Sequence, residues 1–172
     1  MKIFGYVLLM ILIALTIFNF MALFNSKKRK MTGKMTYQAT IWPIEKKLMA
    51  YMKERALDFT IVQRMVNDQG DGIIFVADPK NRKAAVAMAN DMLTFSYDEL
   101  EDAERYYDLE GKKTVAAYVV LTVNGTMYRY DIATKRFNPK GLVGKVLYDT
   151  TEEFYSKAHA ILEENKKGEG KS

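Results

Sequence analysis

The chain of 172 residues has no cysteine and only one histidine, His159. Without thiols it has no disulfide bond, no thiolate metal site and no cysteine nucleophile. One imidazole cannot by itself build a histidine metal site, and the sequence around His159 supplies no partners for a Ser-His pair. We therefore expect neither a metal nor a cofactor, and we expect His159 to be a partly exposed helix residue.

Catalytic and phosphate-binding motifs are also lacking. No phosphate loop of the GxxxxGK[ST] kind occurs, and residues 141–145 are too short for one and carry hydrophobic residues between their glycines. Residues 67–78 match a calcium loop only in part, because Asn67 replaces the first acid and Phe75 occupies the ninth position. No nucleophile, base and orienting group can be assembled, so the sequence favours a non-enzymatic protein without catalytic residues.

The positive charge of the chain is confined to its beginning. The net charge is +5, yet residues 35–172 hold 20 basic and all 21 acidic residues, which gives this part a net charge of −1. The six remaining basic residues lie in residues 1–34 and account for the excess. The overall charge is therefore no indication of a nucleic-acid-binding domain, and we expect no nucleic-acid partner.

The longest uncharged hydrophobic run covers residues 3–24. A helix of this length would be about 33 Å long, and a bilayer core is about 30 Å thick, so a transmembrane anchor is predicted over residues 1–26. The positive-inside rule then predicts a single-pass protein of the inner (plasma) membrane with its C-terminal part in the cytoplasm. A cleaved signal peptide is the alternative, but the run is long and residues 20–25 are bulky. The residues predicted to contact the membrane surface are Lys27, Lys28, Arg29, Lys30 and Lys34.

The rest of the chain is long enough for one domain with its own core. Residues 27–42 are predicted to be a basic juxtamembrane linker, residues 43–165 a cytoplasmic α+β domain, and residues 166–172 a disordered tail. Pro43 suits the first turn of a helix. Apolar residues then recur at spacings of three, four or seven, which predicts a helix over residues 43–68.

An antiparallel sheet is predicted over residues 72–148. Asn124 and Gly125 form the pair that type I′ hairpins favour. Thr150, three residues before a glutamate, begins a capping-box pattern that predicts a final amphipathic helix over residues 151–164. The predicted strands cover residues 72–77, 83–88, 92–97, 104–109, 114–123, 126–132 and 142–148.

Residues 72–164 resemble a bacterial pleckstrin-homology-like domain, of the uncharacterised kind that carries an N-terminal membrane anchor. Four stretches share the pattern: the hairpin IIFVADPKNRKAAVAM, the strand and acidic turn LTFSYDELEDAERYYD, the long hairpin YVVLTVNGTMYRYDI and the helix EEFYSKAHAILEE. The resemblance implies a curved antiparallel sheet or partly open barrel closed by the C-terminal amphipathic helix. It also implies binding or assembly close to a membrane.

These observations predict a domain that binds another protein, or another copy of itself, at the membrane surface. A free sheet edge or the groove beside the final helix would be the natural site for a peptide. The alternative is a small-ligand or lipid-binding domain with a cavity inside the curved sheet. The acidic segment 98–110 would attract a cation or a basic partner, although most such runs are solvated surfaces.

Overall fold

The structure is a computed structural model that describes residue 35 and residues 37–169, with side chains as far as Lys167. The chain divides into two compact units, Met1–Gln38 and Ala39–Ser172, and the α-helices and strands below belong to the second. The anchor predicted over residues 1–26 lies outside the described residues. So do the five basic residues predicted to contact a membrane surface, Lys27, Lys28, Arg29, Lys30 and Lys34.

A short π-helical turn, Tyr37–Ile41, leads into the helix α1, Trp42–Arg55. Pro43 lies in the first turn of α1 as predicted, where its missing N–H group costs no hydrogen bond. The helix ends because Ala56 adopts a left-handed conformation, with φ of 53°, and its N–H group donates to the carbonyl of Met52.

The prediction of one helix over residues 43–68 is wrong beyond Arg55. Residues Ile61–Val66 instead form the strand β1. Their burial alternates with a period of two, because Gln63 and Met65 are buried while Arg64 between them is exposed. Pairing with the next strand satisfies the backbone here, and this tertiary contact overrides the helical spacing of the apolar residues.

Four antiparallel strands follow one another in a sheet that has the same order as the chain. One face of this sheet packs against α1 through a small core that includes Ile44, Leu48 and Ile74. The opposite face belongs to the main core, so the second strand is buried along its whole length. The strands are β1 (Ile61–Val66), β2 (Gly72–Asp78), β3 (Lys83–Met88) and β4 (Met92–Ser96), of which the last three are confirmed predictions.

A second antiparallel sheet contains β5 (Leu100–Glu110), β6 (Lys113–Val123) and β7 (Thr126–Ala133), again in chain order. Asn124 and Gly125 have φ values of 48° and 72°, which confirms the predicted type I′ turn between β6 and β7. The strand β5 begins four residues earlier than predicted, because its first residue, Leu100, is already part of the main core.

The last element is the helix α2, Leu142–Glu169, which replaces two predicted elements. The strand predicted over residues 142–148 is wrong, and the final helix is longer than the predicted 151–164. Leu142 and Val143 suggested a strand because they are apolar, but both are exposed on the first turn of α2. Within a helix their backbone groups find partners without a neighbouring strand.

The fold class is α+β, but the predicted single curved sheet or partly open barrel is wrong. A 3₁₀ turn, Tyr97–Glu99, leads the chain out of β4 so that β5 starts a separate sheet. Both sheets and α2 share the main core. The ring of Phe154 on α2 lies 5.4 Å from that of Phe75 on β2 and 5.7 Å from that of Tyr130 on β7.

The membrane interpretation is also corrected. Among the described residues, no helix combines the length and the apolar character that a membrane crossing requires. The 14 residues of α1 span about 21 Å, which is shorter than a bilayer core of about 30 Å. The 28 residues of α2 are long enough but carry charged side chains throughout. The described helices therefore contradict the predicted single-pass inner-membrane protein.

Candidate protein-binding groove

The strand β5 forms one edge of the second sheet. Among the described residues its only strand partner is β6. In an antiparallel pair, alternate N–H and C=O groups point away from the partner strand and are open to hydrogen bonding. Residues 104–110 are solvent-exposed apart from Tyr107, which is half-buried. The edge of β5 is therefore accessible to a further strand.

The helix α2 lies beside β5, and two side chains of the strand reach it. The ring of Tyr107 stacks on that of Tyr148, with 4.9 Å between their centroids. The hydroxyl of Tyr107 donates a hydrogen bond of 2.8 Å to Oε1 of Glu152. Nε of Arg105 lies 2.7 Å from the same oxygen. Strand alternation places residues 105 and 107 on one face, so both converge on one carboxylate.

Aromatic rings extend this contact along the helix. The guanidinium carbon of Arg105 lies 4.1 Å from the ring centroid of Tyr155, which is cation–π geometry. The ring of Tyr155 in turn lies 5.3 Å from that of His159. These side chains line an open groove of about 660 Å³ between β5 and α2, whose lining includes Arg105, Glu152, Tyr155, Ser156, His159 and Glu163.

The charge states of Arg105 and Tyr107 are fixed near neutral pH. Burial and the hydrogen bond to Glu152 raise the pKa of Tyr107, so its hydroxyl keeps its proton. Burial acts to lower the pKa of Arg105, but Glu152 and Tyr155 outweigh it and the pKa is raised. Arg105 thus remains cationic and Tyr107 remains a hydrogen-bond donor.

The edge strand itself is strongly acidic. Leu100–Glu110 contains five acids and one arginine, a net charge of −4. Some of these acids make local contacts: Oε1 of Glu101 accepts from the N–H of Gly125 at 3.0 Å, and Glu110 lies 3.3 Å from Arg136. All five are nevertheless exposed. The field along the edge of β5 is therefore negative.

The outer face of the second sheet carries another aromatic cluster. The rings of Tyr106 and Tyr118 stack with 5.1 Å between their centroids. The guanidinium carbon of Arg129 lies 3.7 Å from the ring centroid of Tyr118, and Arg129 is also paired with Asp131 at 2.7 Å. The side chains of this cluster therefore find their partners within the sheet.

The structure places the candidate residues of the sequence as follows. His159 is a half-buried residue of α2, as predicted, and it lies in the groove. Within the part of the chain that the structure describes, no three His, Asp or Glu side chains are grouped so as to hold a metal ion. The partners of the groove, Arg105, Tyr107, Glu152 and Tyr155, were not singled out from the sequence. Arg105 and Tyr107 are two residues apart in a strand, and Glu152 and Tyr155 are three residues apart in a helix. This spacing was the signal that the sequence offered.

Comparison with known proteins finds no matching family model, no matching curated protein and no matching solved structure. The resemblance to pleckstrin-homology-like domains therefore stays a prediction. Any function must be inferred from the geometry and charge of this chain alone.

Proposed function

We propose that this chain is a non-enzymatic binding protein that takes up an extended segment of another protein as an additional strand along β5. The observation that supports this is the accessible edge of β5 beside a groove on α2. Strand addition derives its affinity from main-chain hydrogen bonds, and pockets for alternate side chains give specificity. Side chains on one face of the added strand would enter the groove beside Tyr155 and His159.

The charge of β5 selects the kind of segment. Like charges that face each other on neighbouring strands are destabilising, and opposite charges contribute about 0.2–1 kcal/mol per pair. A strand with net charge −4 therefore favours a partner strand that carries lysine or arginine at alternate positions.

The same charge disfavours pairing between two copies of this edge. Two β5 strands side by side would bring two segments of charge −4 into contact, with five acids on each. Many natural edge strands use charge in this way to prevent association with themselves. The proposed partner is accordingly a basic segment of a different protein.

A peptide titration with the full chain tests this proposal. The probes are two labelled ten-residue peptides, one of alternating lysine and valine and one of alternating glutamate and valine, followed by fluorescence anisotropy. Three or four favourable charge pairs predict that the basic peptide binds about tenfold more tightly or better. The double variant Glu104→Lys/Asp108→Lys should abolish this preference.

The control is Glu54→Lys, which makes the charge change of one of the two substitutions at an exposed residue of α1. It should leave the preference for the basic peptide unchanged. Equal binding of the two peptides, or a preference that survives the double variant, would contradict the proposal. If the chain binds neither peptide but forms dimers, and the double variant forms dimers equally well, self-association would be the better interpretation.

A further inference from the structure

A second pocket lies between the end of α1 and the first sheet, and it shares no residue with the groove on α2. Its volume is about 230 Å³, which is room for roughly eight water molecules at about 30 Å³ each. This is below the usual range of about 300–1,000 Å³ for drug-sized ligands, so only a small molecule would fit. Its lining includes Tyr51, Arg55, Phe59, Lys83, Phe95 and Glu99.

Part of the wall of this pocket is apolar. Tyr51, Leu57 and Phe59 contribute to it, and all three lie on the side of the first sheet that faces α1. Their positions are fixed by the small core against α1, because Phe59 belongs to that core and Tyr51 and Leu57 pack against it. The pocket is thus supported by packed side chains and presents apolar surface to an occupant.

The rest of the wall is charged, with a positive balance. Arg55 and Lys83 both line the pocket, and among the described residues no carboxylate oxygen lies within 4.0 Å of either cation. The hydrogen bond from the N–H of Ser96 and, to a smaller extent, the charge of Lys83 help to lower the pKa of Glu99. Nζ of Lys83 donates to Oγ of Ser96 at 2.5 Å, and the guanidinium of Arg55 lies over the ring of Tyr51 at 5.7 Å. Glu99 supplies the one acid.

Glu99 is already engaged within its own turn. Its Oε2 accepts a hydrogen bond of 2.6 Å from the N–H of Ser96, within the capping box that starts the turn Tyr97–Glu99. Two cations and one carboxylate leave the lining of the pocket with a net charge of +1. A single negative charge on an occupant would neutralise it.

We propose that this pocket binds a small monocarboxylate with an apolar body. The body would contact Leu57 and Phe59, and the carboxylate would be held by Arg55 and Lys83. Carboxylates are good acceptors for both side chains, since hydrogen bonds between ionised groups are about twice as strong as neutral ones. This site is independent of the strand-binding edge and does not depend on the function proposed above.

The test uses the full chain and three probes: phenylacetate, its neutral analogue phenylacetamide, and inorganic phosphate. Ligand-detected NMR titration should show that phenylacetate binds at least about tenfold more tightly than either of the other two. Lys83→Met and Arg55→Gln should each weaken the binding of phenylacetate about tenfold and leave that of phenylacetamide unchanged.

Lys113→Met, at an exposed lysine that starts β6, is the matched control and should change nothing. Thermal melts of all three variants check that they fold, and Arg55→Gln, at the exposed end of α1, keeps the test decisive if Lys83→Met unfolds. No binding of phenylacetate, equal binding of the amide, equal binding of phosphate, or binding that neither substitution weakens would each overturn the proposal.

Discussion

Asp78 is a nearly inaccessible carboxylate, 1 % exposed, at the end of β2. Its carboxylate accepts hydrogen bonds from the N–H of Asp58 at 2.8 Å, the N–H of Asn81 at 3.0 Å and Nδ2 of Asn81 at 2.7 Å. Burial alone would raise its pKa, but these donors outweigh burial and hold the pKa below the usual value of an aspartate. One side chain thus joins the segment before β1 to the turn between β2 and β3.

We predict that Asp78→Asn destabilises the protein at pH 7 by about 1.5–3 kcal/mol, the range for hydrogen bonds to a charged group. The pKa of Asp78 is lower in the folded than in the unfolded state. Its contribution is therefore complete above the unfolded pKa of about 3.9 and is lost as the pH falls through the folded value.

Urea unfolding of both proteins at several pH values measures this difference. It should be constant from neutral pH down to about pH 5 and should shrink below pH 4. Asp91→Asn, at an exposed turn residue, is the control and should cost little. A difference that is absent at pH 7, or that grows in acid, would contradict the assignment.

At the scale of elements, the start of α2 depends on close packing against the preceding loop. A Cβ atom on Gly144 would lie 1.9 Å from the carbonyl oxygen of Asn138 and 3.0 Å from the ring of Phe137. Contacts below 3.0 Å to backbone atoms force the chain to move. Only glycine therefore fits where the first turns of α2 meet this loop.

We predict that Gly144→Ala lowers the melting temperature. Helix propensity alone predicts the opposite, because alanine is better than glycine inside a helix by about 1 kcal/mol. The two expectations differ in sign, so a thermal melt decides between them. Ser156→Ala, at an exposed residue of the same helix, is the control and should have little effect. A higher melting temperature for Gly144→Ala would show that α2 is free to shift.

The elements that could be predicted from sequence are those with local signals. The hairpin between β6 and β7 follows from Asn124 and Gly125, and β2, β3 and β4 follow from short apolar runs separated by turn residues. The segment Ile61–Val66 could not be assigned, because its apolar residues fit a helical face as well as a strand. Only its pairing with β2 decides the outcome.

The candidate groove could be predicted only in outline. A free sheet edge and a groove beside the last helix were expected, but the residues that build them were not identified. Tyr107 and Glu152 are 45 residues apart, and no local pattern links positions so distant. The outcome also depends on α2 starting at Leu142 instead of residue 151, which brings Tyr148 into the helix beside β5.

At the scale of the whole molecule, Phe154 joins the two sheets. It is fully buried on α2 and its ring contacts both Phe75 of the first sheet and Tyr130 of the second. Burying an aromatic side chain at such a junction makes the stability of each sheet depend on the other. The two sheets should therefore unfold as one cooperative unit.

We predict that Phe154→Ala destabilises the fold by about 3–5 kcal/mol, as for other buried phenylalanines. Amide exchange should then increase in both sheets together. Val146→Ala, an exposed apolar residue of the same helix, should change the free energy of unfolding by less than about 0.5 kcal/mol. Loss of protection in the second sheet alone would mean that the two sheets are independent.

Hydrogen exchange of the full chain, with and without the alternating lysine–valine peptide, tests the central proposal most directly. An added strand bonds to the free backbone groups of β5, so exchange should slow within Leu100–Glu110 and along residues 152–163 of α2. The edge strands β1 and β4 of the other sheet should be unaffected. Protection on β1 or β4, or no protection of β5 at saturating peptide, would contradict binding at this edge.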